Sequence, residues 1–235
     1  MQQQQECNIF SFFGPPGSGK GTLAWQCKKE FDCQVLATGD LCRKHIAQGT
    51  SLGKLVQQYI QDGRLVPDDV VVEMVMEWLL QEARPSGTVL LDGFPRTPQQ
   101  AQLFLTFLHE RLPFCHYRVF FFELPAQSVI QRLTNRLVCM NKDCQATYSL
   151  HANPPKLEGK CNFCGSILGR RQDDAEEVVK ERLRVYVEYR DALLNSYRNL
   201  KCKVHALDVS GKSKNEVFEW FLEFLTKNSR DICAQ

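Results

Sequence analysis

The chain has 235 residues, 43% hydrophobic and 24% charged, with a formal net charge of +2 at pH 7. It is too apolar for intrinsic disorder and too evenly charged to coat a run of nucleic acid phosphates. It opens with no secretory pattern and contains no stretch of about 18 apolar residues, so a soluble cytoplasmic protein is expected, with neither membrane nor nucleic acid as partner.

Cys7 to Phe13 is a short apolar run that stops at Gly14 and Pro15, which predicts a buried strand feeding a loop. Lys20 to Phe31 predicts a helix, and the weaker apolar run Gln34 to Ala37 a second strand. Helices are predicted over Gly39 to Ala47, Leu52 to Asp62 and Asp68 to Ala83, then a strand over Thr88 to Asp92 and a helix over Pro98 to Arg111. Tyr117 to Glu123 predicts the next strand, Pro125 to Leu137 a helix, and Lys203 to Asp208 a last strand. A long helix, with Asp173-Asp174 at its N-terminus, is predicted to run to Leu200. Strands that are apolar throughout and alternate with helices predict an α/β fold with a parallel sheet covered on both faces.

The segment from Cys139 to Arg171 breaks this rhythm. It is polar, carries Asn153-Pro154-Pro155 and Gly159, and lacks a clear period, so a small unit held by something other than a hydrophobic core is expected. Eleven cysteines without a secretory signal point to thiols and metal rather than disulfides. Four of them form two chelating pairs, Cys139-x4-Cys144 and, sixteen residues later, Cys161-x2-Cys164, the spacing of a tetrahedral structural zinc site. Asp143 is an outside candidate for a ligand, and the other seven cysteines are expected to be core or surface thiols.

Gly14-Pro15-Pro16-Gly17-Ser18-Gly19-Lys20-Gly21-Thr22 lies between the first strand and the first helix. In that context backbone amides at a helix N-terminus face an anion, glycines let the chain wrap closely, and Lys20 supplies a charge for the outer phosphates. A bare Gly-x4-Gly-Lys spacing arises by chance in ~8% of chains this long, and adding Gly17 and Gly21 lowers that to roughly 0.04%. Gly21 stands where a Ser or Thr would touch magnesium; magnesium is therefore expected on phosphates and water, with Asp92 placed to bind that water. Arg43 and Arg96, each after a strand end, suit bidentate contacts to a second phosphate. Further cations, Arg132, Arg136, Arg170, Arg171 and Arg182, flank the cysteine segment.

The loop Gly14 to Thr22, Thr38-Gly39-Asp40 with Arg43, and Leu91-Asp92-Gly93-Phe94-Pro95-Arg96-Thr97 with Gln100 resemble the three core motifs of adenylate kinases, in that family's order. The cysteine segment is similar to the long lid of the family's zinc-containing members, through Ala146-Thr147-Tyr148, Pro154-Pro155-Lys156 and Cys164-Gly165, although the family's first pair is usually Cys-x2-Cys. The resemblance implies a P-loop three-layer sandwich with a central five-stranded parallel sheet. Its core would be 1–36, 67–134 and 175–235, with a helical segment for the monophosphate at 37–66 and a zinc-bearing lid at 135–174.

It also implies a monomer that reversibly transfers the γ-phosphoryl of ATP to AMP with magnesium, giving two ADP and balancing the adenine nucleotides. The implied ATP site is Gly17, Ser18, Gly19, Lys20, Gly21, Thr22, Arg132 over the base, Arg136 on the phosphates, Thr147, Tyr148 and the backbone of Lys212. The implied AMP site is Thr38, Arg43, Arg64, Leu65, Val66, Gly93, Phe94, Pro95, Arg96 and Gln100, the last reading the adenine edge, with Arg171 and Arg182 bridging both nucleotides. Lys20, Asp92, Arg96, Arg136, Arg171 and Arg182 would carry the chemistry. No carboxylate pair or activated nucleophile is needed, because an acceptor phosphate with a second pKa of about 6 is already ionised at neutral pH. Two alternatives stand: a kinase with another donor or acceptor, such as GTP with AMP, and a nucleotide-dependent switch whose zinc unit binds a partner. A switch needs the phosphate loop but not a second set of arginines.

Overall fold

The computed structural model describes residues 7–84, 87–141, 144, 146–150 and 153–227, so Asp143 lies outside the described residues. In chain order the first half comprises β1 (Cys7–Phe13), α1 (Lys20–Glu30), β2 (Gln34–Ala37), α2 (Thr38–Ala47), α3 (Ser51–Gln61), α4 (Asp68–Glu82), β3 (Thr88–Asp92) and α5 (Pro98–Arg111). The second half comprises β4 (Cys115–Glu123), α6 (Ala126–Thr134), β5 (Arg136–Cys139), β6 (Thr147–Ser149), β7 (Leu168–Gly169), α7 (Glu176–Asn199), β8 (Val204–Asp208) and α8 (Lys214–Lys227).

Five strands form one parallel sheet in the order β2-β3-β1-β4-β8, the architecture expected from the apolar runs. Their side chains alternate between two cores. Phe10, Phe12, Phe120 and Phe122 face α1 and α8, whereas Ile9, Phe13, Val119 and Phe121 face the layer of α4, α5 and α7. Phe120 is fully buried and meets Phe10, Phe221 and Phe224 edge-on, with ring centroids 5.7, 5.1 and 4.8 Å away. Burying one such ring contributes roughly 1.5–3 kcal/mol, and the edge-to-face pairs add to it.

Local chemistry sets the ends of the elements that frame the cleft. Thr97 caps α5 by accepting from the Gln100 amide at 3.1 Å, and Pro98 takes the first helical position. Gly19 opens α1 in the left-handed region (φ 96°), with no side-chain cap and no acidic residue in the first turn, which leaves the helix's positive end facing the loop.

Two regions differ from expectation. The helix expected to reach Leu137 stops at Thr134; Asn135 ends it, and Arg136 begins β5 instead. Here strand pairing wins over helical propensity, because β5 bonds to both β6 and β7 in a small antiparallel sheet. That sheet carries its own apolar cluster of Cys139, Ala146, Tyr148, Cys161 and Leu168, so the insert has a minor core besides its thiols. Helix α8 has no counterpart among the predicted elements.

Candidate active site

The parallel sheet gathers the phosphate loop, Thr38 and Asp92 at the carboxyl ends of β1, β2 and β3, where such sheets bind ligands. The loop's shape is fixed by contact: a β-carbon on Gly14 would lie 2.5 Å from the Phe122 carbonyl oxygen. Lys20 folds back over the loop and donates to the Gly14 and Pro15 carbonyls (2.9 and 2.7 Å) and to Ser18 Oγ (3.1 Å). Enclosure in the cleft pulls its ammonium down to about 8; Asp92 opposes this, and Arg96, Arg182 and Arg136 push the same way. Asp92 itself is raised by the same enclosure, against the charge of Lys20.

Gly21 has a steric reason. A β-carbon there would sit 2.8 Å from Asp92 Oδ2, so the carboxylate occupies the space that a Ser or Thr side chain would need. The two departures from a common phosphate loop, Gly21 and Asp92, are one arrangement.

On the other side of the cleft Arg96 is held by its own neighbours. Its Nε donates to the Gly93 carbonyl at 2.6 Å and its Nη2 to Thr38 Oγ1 at 3.4 Å, while Gly93 adopts φ 76° and has no room for a side chain beside Arg96. Gln100 is 1% exposed; its Oε1 accepts from the Arg96 amide at 2.7 Å and its Nε2 donates to Asp68 at 2.7 Å. Phe94 and Pro95 are buried, and the Phe94 ring packs on Phe104, so that side chain belongs to the core. Arg64 is exposed and pairs with Asp62 at 2.7 Å, beside half-buried Leu65 and buried Val66.

Between these halves the arginines are knitted together by three carboxylates. Asp40 pairs with Arg43 and, at 3.6 Å, with Arg171. Asp173 meets Arg43 at 3.5 Å and Arg182 at 3.2 Å, and its carbonyl accepts from Arg182 at 2.9 Å. Asp174, buried, takes a bidentate pair from Arg136 at 2.8 and 2.5 Å, a fork that joins the two ends of the insert. These cations hold Asp173 below the usual carboxylate range, although its burial acts the other way. Arg170 is exposed. Arg132 donates to the Val209 carbonyl at 3.0 Å, which sets it against the turn that holds Lys212. Thr147 and Tyr148 line a narrow cleft with Thr22, but the Tyr148 ring is 3% exposed and its hydroxyl accepts from the Asn162 amide at 2.7 Å.

The four cysteines of the insert converge. Their sulfurs all lie within 4.8 Å of one another, with Cys139 to Cys164 at 3.4 Å and Cys144 to Cys161 at 3.7 Å. Four thiolates around one zinc at about 2.3 Å stand about 3.8 Å apart, so the set fits a tetrahedral ion, and these separations are far longer than a disulfide. Hydrogen bonds from Ser166 bring the Cys164 thiol down to about 6, whereas burial pushes Cys139 and Cys144 up, so the fit to a metal rests on the placement of the four sulfurs.

Asp174 is readable from sequence as an acidic neighbour of Arg182, which it meets at 3.4 Å, whereas Asp40, Asp68 and Asp173 are not singled out by residue reading as partners of site residues. The available signals were the acid of Thr38-Gly39-Asp40 and the pair Asp173-Asp174 close behind Arg170-Arg171. A larger surface cavity of about 270 Å³, lined by Glu123, Tyr186, Arg190 and Asp208 among others, lies beside β8 and contains none of the expected residues. Among the described residues no helix is long and apolar enough to cross a membrane.

A family profile described as adenylate kinase matches residues 12–202. An adenylate kinase of Clostridium perfringens (strain 13 / Type A) is 41% identical over 212 residues, which cover 90% of this chain and 94% of the relative. One from Moorella thermoacetica is 44% identical over 188 residues (79% and 83%), and one from Clostridium beijerinckii 40% over 219 (92% and 97%).

Proposed function

This chain belongs to the adenylate kinase family, and from that premise we propose that it catalyses the reversible, magnesium-dependent transfer of the γ-phosphoryl of ATP to AMP, giving two ADP. The observation that carries the proposal is the pair of cation groups on either side of one cleft. Lys20 and Arg136 stand at the phosphate loop, Arg43 and Arg96 stand across from it, Arg182 shares Asp174 with Arg136 and Asp173 with Arg43, and Arg171 shares Asp40 with Arg43. A switch protein would have no use for the second group.

In this reading the loop and Lys20 hold the donor phosphates, Arg132 and the Lys212 turn hold its base, and Thr147 and Tyr148 border it. The acceptor phosphate replaces Asp40 and Asp173 as the partner of Arg43 and Arg171, with Arg96 already aimed by Gly93 and Thr38. Thr38, Arg64, Leu65, Val66, Gly93, Phe94, Pro95 and Gln100 frame the acceptor, the buried Phe94 and Pro95 through backbone. Gln100 has a second amide hydrogen to offer the adenine edge, since its first goes to Asp68. The acceptor needs no base, so the barrier falls through alignment and charge neutralisation by the arginines. Magnesium bound with ATP would neutralise phosphate charge, and Asp92, pressed against Gly21, would hold its water. The segments 37–66 and 135–174 would close on the core, and closure excludes water that would hydrolyse ATP.

Cys139, Cys144, Cys161 and Cys164 would hold zinc, which supplies folding energy to the lid. The chemical test is a matrix of donors (ATP, GTP) against acceptors (AMP, GMP, CMP, UMP) with magnesium. ATP with AMP should be the fastest pair by at least about tenfold. A faster GTP and AMP pair would replace ATP as donor.

A further inference from the structure

We infer that Trp25 is the latch that holds the cysteine-bearing insert against the core, a positioning residue. Its indole N–H donates to the carbonyl of Cys144 at 2.8 Å, across 119 positions of sequence. Its ring meets Phe163 edge-on with centroids 4.8 Å apart. Lys29, one helical turn further along α1, sets its Nζ 4.2 Å from the Trp25 ring centre and 3.8 Å from that of Phe163. In the same cleft Lys214 donates to Asn153 at 3.4 Å, a second contact between the core and the insert.

The two partners of Trp25 are parts of the metal-binding knuckles. Cys144 supplies one sulfur, and Phe163 stands between two others, Cys161 and Cys164. Phe163 is 53% exposed even with Trp25 against it, so its side chain adds little to the insert's own core. A large aromatic at the tip of a knuckle is explained by what it docks on. Helix α1 is a rigid mount: its first residue is Lys20, and Leu23, Ala24 and Cys27 are buried against the sheet. The helix that presents its N-terminus to the donor phosphates therefore also sets where the lid comes to rest.

The contact suits a repeated motion. One neutral hydrogen bond biases an equilibrium by roughly 2- to 12-fold, and one aromatic pair by a similar factor, enough to favour closure without trapping product. The kinetic consequence rests on the phosphoryl-transfer reading above; the docking itself does not.

Both parts can be tested separately. In the full-length protein carrying Trp78→Phe and Trp220→Phe, Trp25 is the remaining tryptophan, and its quenching by acrylamide reports whether the insert covers it. Adding Phe163→Ala should raise the quenching constant by about twofold or more without nucleotide. In the otherwise native chain, Trp25→Phe keeps a ring and loses the N–H; it should raise the KM for ATP by roughly 2- to 10-fold, leave the KM for AMP and the melting temperature unchanged, and not lower kcat. Unchanged quenching on Phe163→Ala overturns the latch, as does an unchanged KM for ATP with Trp25→Phe. A native chain that makes no ADP from ATP and AMP defeats the phosphoryl-transfer reading instead, and the quenching arm then still decides the docking.

Discussion

The central sheet and the insert between Arg136 and Asp174 are held by different means. In the sheet, Ile9, Phe12, Val119, Phe120 and Phe122 are all fully buried, because helices cover both faces. The insert has strands of four, three and two residues, and it leaves Met140, Leu157, Phe163 and Ile167 more than half exposed. So little burial cannot hold a fold of that size alone; zinc on the four convergent cysteines, as proposed above, would supply the remainder. The groups that must stay fixed, the loop and Arg96, therefore rest on a packed core. The insert, which would move in the proposed reaction, is closed on itself by the Arg136–Asp174 fork and joined to the core by a contact that can break, the Trp25–Cys144 hydrogen bond.

The sharpest way to break this comparison is to remove function from the core without touching its packing. Lys20→Ala and Arg96→Ala should each cut turnover by at least about 100-fold while the melting curve stays in place. Near-normal turnover in either variant would refute its role.

Next, metal removal should act on one region only. Chelation should release one zinc per chain and, since zinc gives small units about 10–16 kcal/mol of binding energy, melt the insert at a lower temperature than the sheet. Metal analysis of the purified protein and a two-step melting curve check this, and a single unshifted transition after chelation would contradict it.

A smaller effect is expected at the seam between loop and sheet. Gly21→Ala puts a β-carbon against Asp92 Oδ2, so kcat should fall about tenfold, with magnesium dependence shifted to higher concentration. Wild-type magnesium dependence would show that Asp92 moves aside freely.

The smallest effect is a pH profile. Lys20 titrates at about 8 in the folded chain against 10.5 unfolded, so between those values the folded state binds fewer protons and the fold gains stability as pH rises. ATP affinity should run the other way: flat below pH about 8, then falling by up to tenfold per unit as the lysine loses the charge that phosphate needs. Opposite slopes of melting temperature and ATP affinity above pH 8 are the signature, and parallel slopes would contradict it.

Where local chemistry and tertiary packing agree, the elements are legible from residues alone. Strands β2 and β3 and helix α5 have the predicted bounds, since Thr97-Pro98 starts the helix and TVLLD has no other reading. The phosphate loop is legible because glycine and lysine spacing is itself the geometry. The overrun of α6 has a different cause: Leu133 and Leu137 keep a helical spacing, and only pairing with β6 and β7 takes Arg136 onward into the insert. Helix α8 carries a readable signal that the predicted elements omit: Val217, Trp220, Phe221, Phe224 and Leu225 keep a helical spacing, Ser213 and Glu216 cap its start, and Phe221 and Phe224 pack beneath Phe120. The Asp40–Arg43 pair is local, three residues apart, but the pairings of Asp173 with Arg43 and of Asp40 with Arg171 span more than 120 residues and form only when the chain folds.

The proposed reaction stands or falls on where the γ-phosphoryl goes. Purified protein with magnesium, ATP and an excess of AMP should form two ADP for each ATP lost, with inorganic phosphate release at least about 100-fold slower. Phosphate appearing in step with ATP loss, without added ADP from AMP, would contradict an acceptor site built from Arg43, Arg96, Arg171 and Arg182.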